Sequence, residues 1–84
     1  MLIDAAALRE RASRLRSVCT DLRRVLDDAT AVRHLASRVT WVGPAADHFI
    51  ARVGVQVREI EHIIEQLRTD ARRLDTLADT LAVG

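Results

Sequence analysis

The sequence predicts an all-α protein, an antiparallel helix-turn-helix hairpin over about residues 4–39 and 44–82, on three observations. Apolar residues recur at spacings of three and four through two long stretches, the period of an amphipathic helix. A single Gly43-Pro44 pair separates the stretches, where Gly opens backbone angles closed to other residues and Pro removes a donor. Hydrophobic residues make up 49% of the chain but aromatics only 2%, with no Tyr, which suits helices of Leu, Val, Ile, Ala and Arg better than strands.

The first helix is expected to begin at residue 4 or 5. Asp4 is a good N-cap, small Ala5 to Ala7 follow it, and Glu10 lies near enough to the start to favour the helix dipole. Leu8, Leu15, Leu22, Ala29 and Ala36 then recur every seven residues, with Val18, Val25, Val32 and Val39 three places after their matching members. This predicts an a/d seam. Arg11 breaks it at one d position, where it would meet Asp70 or Asp75 across the hairpin or an acid on a partner. Cys19 and Leu26 fall at e positions and Leu35 at a g position, which widens the apolar stripe.

The turn is centred on Thr40 to Phe49, a stretch holding the only Trp, Pro and Phe. Pro44 suits the first position of a second helix and Gly43 the N-cap before it. Trp41 is large for a turn, and an indole left in water forfeits much apolar area. It either plugs the end of its own hairpin core or fills a site shared with a partner chain.

The second helix is more regular: Ala46, Ile50, Val53, Val57, Ile60, Ile64, Leu67, Ala71, Leu74, Ala78 and Leu81 alternate spacings of four and three without a miss. Phe49, Ile63 and Leu77 sit beside this seam at intervals of fourteen residues. Gly54 costs helix propensity, about 1 kcal/mol relative to Ala, and so marks a close approach or a bend. One seam suffices for the hairpin. The additional stripe of Cys19, Leu26, Leu35, Phe49, Ile63 and Leu77 would stay wet in a lone hairpin, which predicts a second hairpin over it and a four-helix bundle. At 84 residues the chain is read as one domain, 1–84, near the low end of what a single core stabilises.

Charge and chemistry narrow the function. Thirteen Arg and no Lys face twelve acids, a net charge of +1 that gives no strong field for nucleic acid. The first forty residues carry eight Arg and five acids, the remainder five Arg and seven acids, a balance that favours packing the two helices together. The run Arg9, Arg11, Arg14, Arg16, Arg23 and Arg24 lacks interleaved aromatics and reads as a solvated face. Arg23 with Asp27, Arg24 with Asp28 and Glu10 with Arg14 have the spacing of surface ion pairs.

His34, His48 and His62 share the outermost heptad position, and the last two lie ~21 Å apart along one helix, so no metal site is expected. Adjacent Asp27 and Asp28 project about 100° apart and make no acid–base pair. No hydroxyl has a histidine placed to activate it, and there is no Gly-rich phosphate loop. An enzyme is therefore not expected, nor a cofactor. Cys19, the only cysteine, allows no internal disulfide and reads as a small core residue, or as one half of an intersubunit bridge. Met1 to Asp4 lacks the basic flank and long apolar core of a cleavable signal, and no apolar run approaches the ~20 residues that span a bilayer.

Trp41-Val42-Gly43-Pro44-Ala45-Ala46-Asp47-His48-Phe49 matches the pattern W-x-G-x-A-A-x-x-F between two long helices. In this the chain resembles the WXG family, the ESAT-like small proteins of type VII (ESX) secretion systems, over its whole length. The resemblance implies a helical hairpin that forms a homodimer or pairs with a related hairpin, exported folded without a cleaved signal. It carries the motif onto Trp41, Gly43 and Phe49, and the Arg-for-Lys bias suits an actinobacterial source. The implied function is a type VII secretion substrate or the subunit of a secreted dimer, with a cytoplasmic adaptor or chaperone-like partner for a larger cargo or toxin as the alternative. The family's C-terminal Y-x-x-x-D/E export signal has no counterpart here, so either a tailed partner supplies it or the protein stays inside as a chaperone-like companion for a larger cargo. The partner surface is expected at Cys19, Leu26, Leu35, Trp41, Phe49, Ile63 and Leu77.

Overall fold

The computed structural model describes residues 4–38 and 42–83 and contains two helices, α1 (Ala5–Arg38) and α2 (Pro44–Val83), with no strand among the described residues. At 1.5 Å per residue the 40 residues of α2 span about 60 Å, and the molecule is a rod of 62 × 19 × 15 Å. The helices run antiparallel. Arg9 meets Asp79, Cys19 meets Ile64 and Arg33 meets Gly54, so numbers rise on one helix as they fall on the other.

Both helix starts follow from local chemistry. The Ala7 amide donates to the Asp4 carboxylate at 2.7 Å, which satisfies one of the donors a helix start leaves unpaired, and the Leu8 amide donates to the Asp4 carbonyl at 3.3 Å in the first i to i−4 bond of the helix. Glu10 lies beyond the first turn, which holds no acid. At α2, Gly43 has φ = 115°, a conformation L side chains rarely adopt, and its carbonyl accepts the Asp47 amide at 3.0 Å. Pro44 follows at the first helical position, where its missing N–H leaves nothing unpaired.

The core on α2 is the series expected of it. Ala46, Val53, Val57, Ile64, Ala71 and Ala78 are buried, and Ile50, Ile60, Leu67 and Leu74 half-buried; only Leu81, near the helix end, is exposed. On α1 the register differs from the a/d expectation. Leu8, Ala12, Cys19 and Ala36 are buried and Leu15, Leu22, Leu26 and Ala29 half-buried, whereas Val18, Val25 and Val32 keep 44%, 51% and 49% of their surface in water.

The seam of α1 therefore runs 8, 12, 15, 19, 22, 26, 29, 33, 36, the same alternation of four and three that α2 shows. Turning α1 this way brings Ala12 and Cys19 inward, and small residues let two backbones come close. It also leaves Arg11 exposed, outside the seam, and so avoids burying an unpaired guanidinium. Arg33 is the one charged member of the series. It is accommodated because Gly54 lies opposite: a Cβ on Gly54 would stand 3.3 Å from the Arg33 Cζ and Nη2 atoms. The close approach at this glycine is thus to a side-chain end, the Arg33 guanidinium.

Candidate interaction faces

Residues on a helix step by 100°, so the two sides of the α1–α2 seam carry different residues, and the contacts identify them. One side is polar. Arg9 pairs with Asp79 at 3.3 Å and Arg16 pairs with Asp75, both running from a basic α1 to an acidic α2, as the helix charge balances suggested. Exposed pairs of this kind contribute little individually, about 0.2–1 kcal/mol, but they fix which flanks face each other. Arg23, Arg68 and Arg72 lie on this side too.

The other side is apolar along the middle of the rod. Val18, Val25 and Val32 come from α1, Ile63 and Leu77 from α2, the last two 45% and 49% exposed. Half-buried Leu15, Leu22, Ala29, Ile60, Leu67 and Leu74 floor the strip between them. Leu35 lies further round on the same side of α1 and is exposed. Towards the chain ends the strip becomes charged, where Arg11, Leu15, Asp70, Arg73 and Leu74 line a shallow depression. Asp70 pairs there with Arg73 at 4.0 Å; Asp75 is taken by Arg16, so neither is the ion-pair partner expected for Arg11.

The residues expected at a partner surface are thus divided. Leu35, Ile63 and Leu77 are exposed, and Phe49 is half-buried at the start of α2. Cys19 is a correction: it is 6% exposed, packed within the hairpin, and its Sγ donates to the Ile64 carbonyl at 3.7 Å, so it does not join a wet stripe. Leu26 is half-buried on that same seam. Val18, Val25 and Val32 take their place on the open face. Trp41 and Val39 fall outside the described residues, and Gly43 is half-buried in the turn.

The remaining candidates stay apart. His34, His48 and His62 are all exposed, and no group of three His, Cys, Asp or Glu among the described residues is arranged to hold a metal. Glu10 and Arg14 pair at 2.8 Å as their spacing suggested, while Arg24 pairs with Asp21 at 3.9 Å rather than with Asp28. No described helix is long and apolar enough to cross a membrane. Against known protein families, curated proteins and solved structures, the chain has no match.

Proposed function

We propose that this protein is a non-enzymatic association module whose apolar face pairs with a second copy of itself or with a related hairpin to form a four-helix bundle. The observation that carries the reading is the segregation of the rod's two sides. Val18, Val25, Val32, Ile63 and Leu77 form one half-wet apolar strip, and cross-helix ion pairs occupy the other side with arginines that have no ion pair among the described residues. Burying the exposed half of such side chains is worth about 1 kcal/mol each, half of the full burial value. The basic side offers no equivalent gain, since two copies meeting there would bring arginines against arginines.

The W-x-G turn extends the proposal to type VII secretion, with the hairpin as an exported substrate or the subunit of an exported pair. A second reading keeps it in the cytoplasm as an adaptor for a larger cargo, using the same face. Expression in a host with an active ESX system, with and without a related hairpin as candidate partner, separates the two. Accumulation in the culture filtrate that depends on the secretion ATPase supports the substrate reading. Retention in the cells under both conditions rejects it. Trp41→Ala should reduce pairing or export more than His48→Ala; equal, negligible effects would count against a role for the motif.

A further inference from the structure

The polar side of the rod holds a feature that pairing through the opposite face leaves open to solvent. Arg16, Cys19, Thr20 and Arg23 of α1 fall at i, i+3, i+4 and i+7, and Arg68 and Arg72 of α2 at i and i+4, so each set forms one stripe. The antiparallel register brings the two stripes around a single depression of about 340 Å³. Four of its six lining residues are arginines and none is acidic.

Little in the protein neutralises that charge. Arg16 is paired with Asp75 and Arg72 donates to the Thr69 hydroxyl at 3.3 Å, but Arg23 and Arg68 have no ion pair among the described residues. Glu61 and Glu65 lie next along the groove, beside Arg23 and Arg68, without closing to ion-pair distance. The floor is the buried Cys19, and the Thr20 hydroxyl donates back to the Arg16 carbonyl at 3.1 Å.

We propose that this depression binds a compact phosphate-type oxyanion carrying several charges, a diphosphate in chemical class. Guanidinium forks match the paired oxygens of phosphate groups, and donors from two facing helices can hold two adjacent groups at once. A single phosphate or carboxylate can engage fewer of these guanidinium groups at once than two linked phosphates can. The lining contains no aromatic side chain on which a base could stack, so the anion itself, and not a nucleoside, is the recognised part. The volume is at the low end for small-molecule sites, suited to a diphosphate and too small for a helix.

The test is a titration of the full-length protein followed by amide chemical shifts at physiological salt, with inorganic diphosphate, orthophosphate and a short single-stranded oligonucleotide as three separate probes. Diphosphate should give saturable shifts centred on residues 16–23 and 65–72, and orthophosphate should bind at least about tenfold more weakly. The Arg23→Gln/Arg68→Gln variant should keep its helical circular dichroism, since both side chains are exposed, and lose at least about tenfold in diphosphate affinity. Several results would overturn the proposal: no saturation at millimolar diphosphate, or shifts spread equally over Arg9, Arg14, Arg24 and Arg73. Undiminished binding by the double variant, or an oligonucleotide binding this site more tightly than diphosphate, would do so too.

Discussion

Replacing Gly54 by Ala should stabilise the hairpin, although Gly54 is buried and faces another residue. The gain comes from helix propensity, where Ala exceeds Gly by about 1 kcal/mol in a helix interior. The cost is steric: the new methyl would stand 3.3 Å from the Arg33 Cζ and Nη2 atoms and 3.5 Å from Nη1, a few tenths of an ångström too close for comfort. Those atoms are the far end of a flexible, exposed side chain with no ion pair among the described residues, so the guanidinium can move off at little expense. The net expectation is a gain of about 0.5–1 kcal/mol, or a rise in Tm of about 2–8 °C for a domain of this size. Urea and thermal unfolding at one fixed protein concentration would measure it, because association also shifts apparent stability. In an Arg33→Ala background the obstacle is gone and Gly54→Ala should deliver the full propensity difference. Destabilisation by Gly54→Ala that persists in the Arg33→Ala background would refute the reasoning, since it would mean that backbone and not a movable side chain lies against the glycine.

Three other perturbations address separate parts of the account. Gly43→Ala should cost about 1–3 kcal/mol from its φ of 115° alone, because among the described residues nothing lies within 4 Å of the added methyl; chemical denaturation would show it, and an unchanged midpoint would contradict the turn geometry. Ile64→Ala, at a site 4% exposed, should cost about 2–5 kcal/mol of folding stability, whereas Val25→Ala, half in water, should cost under about 1 kcal/mol. Val25→Glu with Ile63→Glu should leave the monomer's helicity intact, since both carboxylates reach water, yet weaken self-association at least about a hundredfold in a dilution series followed by light scattering.

Much of the hairpin is legible in the sequence. The α2 series from Ala46 to Ala78 allows only one inward face, and Asp4, Gly43 and Pro44 have side chains or backbone freedom that specify helix starts by local chemistry. The register of α1 is harder to read because two apolar columns flank its Leu8, Leu15, Leu22 column: the valines three residues on and Ala12, Cys19 and Leu26 four residues on. Valine is the more hydrophobic choice, so periodicity weighted by hydrophobicity selects it. Packing selects the other column, whose small Ala12 and Cys19 allow closer helices. The signal that could have decided it is the charge: Arg11 interrupts the valine column, while the other column meets its only charge at Arg33, whose exposed guanidinium lies over Gly54. Position 23 lies two turns of α1 from 16, and both lie far in sequence from 68 and 72, so the arginine depression depends on cross-helix register and could not be read from the linear run of arginines.

The central claim is that the face bearing Val18, Val25, Val32, Ile63 and Leu77 exists to be covered by another hairpin. Sedimentation equilibrium of the 84-residue chain across the micromolar range tests it most directly. The account predicts a species of about twice the 9.4 kDa chain mass that dissociates on dilution. A fully helical, cooperatively unfolding species that stays at 9.4 kDa throughout that range would contradict it.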